Sequence, residues 1–128
     1  MTSLYVHIPF CKKKCFYCSF VVSVGQDDRI NAYLDGLAWE AKRYQNTRLN
    51  TIYVGGGTPT HMSCGQLKRL FSILKQNFRF QSDGEWTLEA NPEGLDLDKA
   101  KLLRDCGVNR VSLGVQSFQP AILALLAR

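Results

Sequence analysis

The chain has 128 residues, of which 45% are hydrophobic and 21% charged, which is enough for one globular domain with a buried core. Its formal net charge is +5, but the basic residues are scattered apart from Lys12, Lys13 and Lys14, and this argues against a nucleic-acid-binding surface. The N-terminus has no signal-peptide pattern, and no apolar run reaches the length of about 18 residues that a membrane span needs. We therefore expect a cytoplasmic protein.

The first half of the chain alternates short apolar runs with segments of helical periodicity. Residues 4–8 predict a first strand, and apolar residues recurring every three or four positions predict an amphipathic helix over residues 28–44. Residues 51–54 predict a second strand. Ser63 with Gln66 three residues later matches a capping box, which predicts the start of a second helix.

The second half continues the same alternation. Residues 86–90 predict a third strand, and a shorter helix is expected over residues 98–106, with Gly107 as its left-handed C-cap. Residues 108–115 predict a fourth strand, and Pro120 marks the start of a final helix. The order β-α-β-α-β-α-β-α is typical of an α/β fold with a parallel sheet and right-handed crossovers.

Unusual residues follow each predicted strand. The first strand leads into a cysteine-rich loop and the second into three glycines, while Glu89 and Asn91 lie at the end of the third strand and Gln116 near the end of the fourth. In parallel sheets, ligands bind at the carboxyl ends of the strands. We therefore expect these four stretches to meet at one edge of the sheet and form a binding site.

The five cysteines are distributed unevenly. Cys11, Cys15 and Cys18 lie within eight residues at the spacing C-x3-C-x2-C, whereas Cys64 and Cys106 stand alone and are expected to be packing residues. An odd number of cysteines with three in one loop is a poor layout for a disulfide framework. It fits a metal site in a reducing compartment.

Three thiolates from one loop suit a soft metal centre, and on a 4Fe-4S cluster they would leave one iron open to another ligand. The alternatives are a zinc site completed by His7 or His61, or plain surface thiols. Zinc structural sites usually have two separated ligand pairs, and the sequence has no second pair, so the cluster is favoured. We assign no role to either histidine: His7 lies within a predicted strand, where a core or rim histidine is more common than a haem ligand, and His61 is a loop residue in a plausible position near the site.

Six stretches of the chain together resemble the oxygen-independent coproporphyrinogen III oxidase-like family of the radical S-adenosylmethionine (SAM) superfamily. They are YVHIPFC (5–11), CFYC (15–18), GGGTPT (55–60), LEANP (88–92), GVNR (107–110) and LGVQSF (113–118). The resemblance implies a partial parallel (β/α) barrel of about four βα units, truncated relative to the usual six. Residues 1–128 would then be the N-terminal portion of a radical SAM core domain, without the rest of the barrel or the substrate domain. We expect such a chain, purified alone, to be inactive and poorly soluble or partly unfolded.

The same resemblance implies the cofactors and their ligands. Cys11, Cys15 and Cys18 would hold a 4Fe-4S cluster. The residues that fall where the family contacts SAM are Tyr5, Tyr17, Gly56, Gly57, Thr58, Glu89, Gln116 and Arg128. Glycines directly after a strand also allow the backbone to approach a polar ligand closely, which agrees with this assignment.

Two branches of the family are distinguished near the third cysteine. The coproporphyrinogen dehydrogenases resemble C-x3-C-x2-C-x-C and carry a long segment ahead of the loop, whereas here Phe20 replaces the fourth cysteine and ten residues precede Cys11. This favours the haem chaperone branch, which implies a haem or porphyrin ligand and an electron donor such as flavodoxin or ferredoxin. The dehydrogenase, which oxidatively decarboxylates propionates, is one alternative. A non-catalytic metal- and SAM-binding protein is another, so whether the chain is an enzyme stays open.

Overall fold

The computed structural model describes residues 2–128 as a parallel sheet covered by helices. The strands are β1 (Ser3–Ile8), β2 (Phe10–Cys11), β3 (Ser23–Val24), β4 (Thr47–Gly56), β5 (Phe78–Ala90) and β6 (Arg110–Leu113). The helices are α1 (Ile30–Ala41), α2 (Cys64–Asn77), α3 (Leu97–Asp105) and α4 (Pro120–Leu125). The main sheet has the order β1-β4-β5-β6 with all neighbours parallel, and β2 and β3 form a separate two-stranded parallel pair. The predicted α/β architecture is confirmed.

One hydrophobic core lies between the sheet and the helices. Alternate strand residues face it, because successive side chains of a strand point to opposite faces. The strand residues buried in this core are Val6, Ile8, Phe10, Leu49, Ile52, Val54, Phe78, Trp86 and Leu88. They belong to one cluster with helix residues that include Leu34, Leu67, Leu70, Phe71, Leu74 and Leu103. Each buried Leu or Ile contributes about 1.5–3 kcal/mol relative to an exposed position.

The predicted helix boundaries are confirmed where the sequence carries a cap. The Ser63 hydroxyl accepts from the Gln66 amide at 3.2 Å, and the Gln66 side chain accepts from the Ser63 amide at 2.9 Å, forming the capping box. Asp96 caps α3 by accepting from the Lys99 amide at 2.8 Å. Gly107 follows α3 with φ +101°, the left-handed conformation that favours glycine.

Some elements differ in length from the prediction. The helix expected over residues 28–44 is α-helical only from Ile30 to Ala41, with 3-10 turns at 27–29 and 42–44. Strands β4 and β5 begin earlier than expected, because residues 47–49 pair with 78–80 before a bulge at 49–51 shifts the register. No helix among residues 2–128 is both long and apolar enough to cross a membrane.

Strand β6 is shorter than predicted and lies at an edge of the described sheet. It spans only Arg110–Leu113, and the chain adopts a left-handed conformation three residues later at Gln116, which has φ +63°. Val111 and Leu113 are 42% and 45% exposed. Two of the apolar side chains that identified this strand in the sequence are therefore only partly buried within residues 2–128.

Candidate active site

A pocket of about 640 Å³ lies at the carboxyl ends of the strands. Its volume is within the range of about 300–1,000 Å³ typical of small-molecule sites. All the predicted site residues except Tyr5 line it, namely Cys11, Cys15, Tyr17, Cys18, Gly56, Gly57, Thr58, Glu89, Gln116 and Arg128. The four strand-end stretches, which are far apart in sequence, therefore meet around one cavity.

Tyr5 lies outside this lining, on the face of β1. Its side chain is 58% exposed, its hydroxyl lies 3.1 Å from His7 Nδ1, and its ring stacks on Tyr53 with 6.0 Å between centroids. The other ring nitrogen of His7 is 3.1 Å from the Val21 carbonyl oxygen. Tyr5 therefore contacts the residues next to the pocket and not the cavity itself.

The cysteine loop is closed at its base by the short β2–β3 pair. Phe10 aligns with Ser23 and Cys11 with Val24, so Cys11 sits in regular structure at the start of the loop. Within the loop the Cys18 amide donates to the Cys15 carbonyl at 3.1 Å, forming a turn. This long-range pairing fixes the position of the loop relative to β1.

The three thiols have different environments. Cys11 is 7% exposed, and its Sγ lies 3.3 Å from Thr58 Oγ1, whereas Cys15 and Cys18 are only partly buried. Burial raises the pKa of the Cys11 thiol, while the Thr58 hydroxyl and Arg128 act in the opposite direction. Because metal binding requires the thiolate, a metal at this site would displace a proton from Cys11.

The donor set fits an iron–sulfur cluster, because its three side chains are thiols, the ligands that such clusters use. In a four-iron cluster each cysteine binds a different iron, so its ligands need not converge on one point. The histidines are engaged elsewhere: His7 contacts Tyr5 and Val21, and His61 Nε2 lies 2.8 Å from Asp27 Oδ1.

The glycine segment, residues 55–57, packs closely against Cys11. The Gly57 amide donates to the Ile8 carbonyl at 2.7 Å, and the Thr58 amide donates to the Phe10 carbonyl at 2.8 Å. A Cβ atom on Gly57 would lie 2.6 Å from the Phe10 oxygen and 3.0 Å from Cys11 Sγ. Only glycine allows this close approach, which links the end of β4 to the cysteine loop.

Glu89 is held by two donors at the end of β5. The Tyr53 hydroxyl donates to Oε1 at 2.6 Å, and the Gly56 amide donates to Oε2 at 3.0 Å. The hydrogen bond to Glu89, together with burial, raises the pKa of Tyr53. Sequence reasoning missed Tyr53; the available signal was its place two residues before the glycines, on the polar face of a strand whose alternate residues are core.

Arg128 extends back across the pocket. Its side chain is 8% exposed, and Nη2 donates to Asn91 Oδ1 at 3.1 Å and to the Gly114 carbonyl, while Nη1 donates to Cys15 Sγ at 3.8 Å. Burial lowers the pKa of Arg128, but the contacts with Cys15 and the negative charge of Glu93 outweigh this, so its pKa is raised. The guanidinium therefore places a fixed positive charge beside the cysteine loop.

Tyr17 and Gln116 complete the lining. Tyr17 is 48% exposed, and burial followed by hydrogen bonding with Cys15 raises its pKa. Gln116 adopts φ +63°, a left-handed conformation that is uncommon outside glycine, and it lines the cavity after the end of β6. Both side chains add polar groups to a pocket that otherwise presents thiols and glycines.

Comparison with known proteins identifies the family. The model of the Radical SAM superfamily matches residues 5–128, nearly the whole chain. The chain belongs to the radical SAM superfamily. This radical SAM chain is 41% identical to heme chaperone HemW of Lactococcus lactis, over 98% of this chain and 33% of that protein. It is 42% identical to HemW of Bacillus subtilis, over 100% of this chain and 35% of that protein.

Proteins named coproporphyrinogen III oxidase are nearly as similar to the chain as the HemW proteins are. The chain is 37% identical to the oxygen-independent coproporphyrinogen III oxidase of Salmonella typhimurium, over 98% of this chain and 29% of that protein. Among solved structures, coproporphyrinogen III oxidase (HemN) from Escherichia coli superposes with a TM-score of 0.90 at 39% identity, covering 98% of this chain and 30% of that one. The radical SAM chain thus spans about a third of the length of these relatives.

Proposed function

We propose that this chain is the cofactor-binding part of a radical SAM protein, in which Cys11, Cys15 and Cys18 hold a 4Fe-4S cluster and the adjoining pocket binds SAM. The observation that carries the proposal is the convergence of the cysteine loop, the glycine segment, Glu89 and Arg128 on one cavity. When bound, the cluster and SAM supply one-electron reductive cleavage of the SAM sulfonium. An electron donor such as flavodoxin or ferredoxin and a cytoplasmic location belong to the same proposal.

The chain's own residues bind and orient the cofactors. The bare backbone at Gly56 and Gly57 allows the polar amino acid end of SAM to approach the main chain. Each oxygen of Glu89 accepts one hydrogen bond within the protein and has a second lone pair, so the carboxylate is able to accept another from an ammonium or ribose hydroxyl. Arg128 provides the positive charge for a ligand carboxylate.

For the whole protein we favour the haem chaperone role over the oxidase. Phe20 is 62% exposed and lines the pocket, at the position where the dehydrogenase branch carries a further cysteine. The alternative, coproporphyrinogen III oxidase, is supported by the 39% identity and the TM-score of 0.90 with the HemN structure.

The cofactor proposal is tested by anaerobic reconstitution of the whole protein that contains this chain. We expect SAM to bind the reconstituted protein, measured by calorimetry, and Arg128→Ala to weaken this binding more than Arg104→Ala. Arg104 is a suitable control because it is exposed on α3, outside the pocket, and its guanidinium donates to Asp105. Equal affinities for the two variants, or no binding to a chain that carries its cluster, would refute the assignment of the pocket.

The branch proposal is tested with the whole protein. Haem is titrated into it and the absorption band of the bound porphyrin is followed, with iron-free protoporphyrin as a comparison. In parallel, coproporphyrinogen III is supplied under reducing anaerobic conditions and carbon dioxide release is measured. The chaperone proposal predicts saturable haem binding without decarboxylation. Decarboxylation without haem binding would establish the oxidase alternative.

A further inference from the structure

A continuous series of hydrogen bonds connects two of the cysteines through three other side chains. Arg128 Nη1 donates to Cys15 Sγ at 3.8 Å, and Nη2 of the same guanidinium donates to Asn91 Oδ1 at 3.1 Å. Asn91 Nδ2 then donates to Thr58 Oγ1 at 3.1 Å, and Thr58 Oγ1 lies 3.3 Å from Cys11 Sγ. The series joins the end of β5, the glycine segment and the C-terminal residue to the cysteine loop.

Chemistry fixes the direction of the bonds that Arg128 and Asn91 make in this series. Arginine only donates hydrogen bonds, so the Asn91 atom facing Arg128 must be its carbonyl oxygen. The amide nitrogen of Asn91 therefore faces Thr58 and donates to the hydroxyl. Since the Thr58 oxygen already accepts this bond, its own proton is free to point at Cys11 Sγ.

We propose that Asn91 is a positioning residue that orients the Thr58 hydroxyl so that it donates its proton to the sulfur of Cys11. Asn91 does not touch a sulfur itself and acts through Thr58. Thr58 is 8% exposed, so water has little access to replace either partner. The proposed SAM contacts account for Arg128 and Thr58 but give no role to Asn91.

The consequence concerns the cluster and rests on the proposed function, in which Cys11 binds iron. A hydrogen bond donated to a ligating sulfur stabilises the more negative, reduced cluster and so raises its reduction potential. Asn91 therefore favours the reduced state through Thr58. Replacing Asn91 by aspartate keeps the size and the acceptor for Arg128, but the carboxylate would accept the Thr58 proton and turn it away from Cys11.

The test measures the midpoint potential of the reconstituted cluster in matched variants. We expect Thr58→Val, which removes the hydroxyl, and Asn91→Asp, which reorients it, to lower the potential, whereas Thr58→Ser keeps it near the wild-type value. Asn31→Asp controls for an added negative charge, because Asn31 is exposed on α1 outside the pocket. We expect this control to leave the potential unchanged.

A double variant separates hydroxyl orientation from the negative charge that Asn91→Asp introduces. In Thr58→Val there is no hydroxyl to reorient, so the shift caused by adding Asn91→Asp should be clearly smaller than in the wild-type background. The electron paramagnetic resonance spectrum of the reduced cluster should also differ from the wild type in Thr58→Val and Asn91→Asp, and should stay close to the wild type in Thr58→Ser. Equal shifts of Asn91→Asp in both backgrounds, or a wild-type potential in Thr58→Val, would overturn the inference.

A measurement on the cluster-free chain tests the Asn91–Thr58 hydrogen bond even if no cluster assembles. The side-chain amide of Asn91 gives its own pair of signals in a nitrogen–proton correlation spectrum. If the amide is held by Thr58, these signals should exchange slowly with water, move in Thr58→Val and stay in place in Thr58→Ser. Signals that are identical in all three proteins would overturn the inference. A chain that takes up no iron would instead contradict the proposed function, and the amide spectra would then decide the inference alone.

Discussion

The hydroxyl of Tyr53 donates a 2.6 Å hydrogen bond to Glu89 Oε1, joining the middle strand β4 to its neighbour β5 just below the pocket. Both residues lie on the face of the sheet opposite the helices, where the polar residues of these strands are gathered. Because the Gly56 amide occupies the other oxygen at 3.0 Å, the carboxylate is held at both ends. Its orientation is set before any ligand arrives.

Tyr53→Phe should therefore weaken SAM binding without abolishing it. The substitution removes one hydrogen bond to a charged carboxylate, which is worth about 1.5 kcal/mol, or roughly tenfold in affinity. The dissociation constant of SAM is measured by calorimetry on the reconstituted chain, with Tyr44→Phe as the control because Tyr44 is 56% exposed outside the pocket. Indistinguishable affinities for the two variants would show that Tyr53 does not position Glu89.

Two glycine substitutions should have opposite effects on stability. Gly57→Ala places a methyl group 2.6 Å from the Phe10 carbonyl and 3.0 Å from Cys11 Sγ, and this overpacking should cost about 1–3 kcal/mol. Gly36→Ala, inside α1 with no atom within 4 Å of the new methyl, should stabilise the chain by about 0.5–1 kcal/mol. Urea denaturation of both variants measures the free energy of unfolding. A Gly57→Ala chain as stable as the wild type would mean that the glycine segment can move away from the cysteine loop.

Stability should fall at alkaline pH partly because of Tyr33. Burial, followed by the negative charge of Glu40, raises the pKa of Tyr33, whose hydroxyl donates to the His7 carbonyl oxygen. A pKa raised in the folded state gives stability that is complete below the unfolded value of about 10 and is lost as the pH rises through the folded value.

Tyr33→Phe tests this dependence. The variant should lose about 0.5–1.5 kcal/mol at neutral pH, because it lacks the hydrogen bond, and its free energy of unfolding should then decline less steeply than that of the wild type above pH ~10. Urea denaturation at neutral and alkaline pH measures both the loss at neutral pH and the decline at alkaline pH, and Tyr44→Phe serves as the control. Parallel declines in the wild type and Tyr33→Phe would assign the alkaline loss to other groups.

The order of elements was predictable from the sequence because each core strand has a short run with apolar residues and each helix has an apolar stripe or a cap. The length of β5 was not, since residues 79–84 are mostly polar or glycine; residues 79–80 pair with β4, and residues 81–84 lie in the register shift before the pairing resumes at Glu85. The β2–β3 pair was missed for a related reason. Its two-residue strands have no periodicity, and the pairing of Cys11 with Val24 is tertiary.

The candidate site was predictable to the extent that it lies at strand ends. The cysteines, glycines, Glu89 and Gln116 were placed by the rule for parallel sheets, and the structure brings them around one cavity. The hydrogen bonds that hold these residues in place were not predictable, because they depend on which side chains face each other across the strands. Asn91 was expected near the binding site because it follows a strand, but its contacts with Thr58 and Arg128 appear only in three dimensions.

The most direct test of the account is the iron and sulfide content of the anaerobically reconstituted chain. The wild type should bind about four iron and four sulfide per chain. Cys11→Ser, Cys15→Ser and Cys18→Ser should each lose most of this content. Cys64→Ser should retain it, because Cys64 begins α2 and does not line the pocket. Iron content that is unaffected in the three loop variants, or stoichiometric zinc in place of iron in the wild type, would contradict the assignment of the loop as the ligand of a 4Fe-4S cluster.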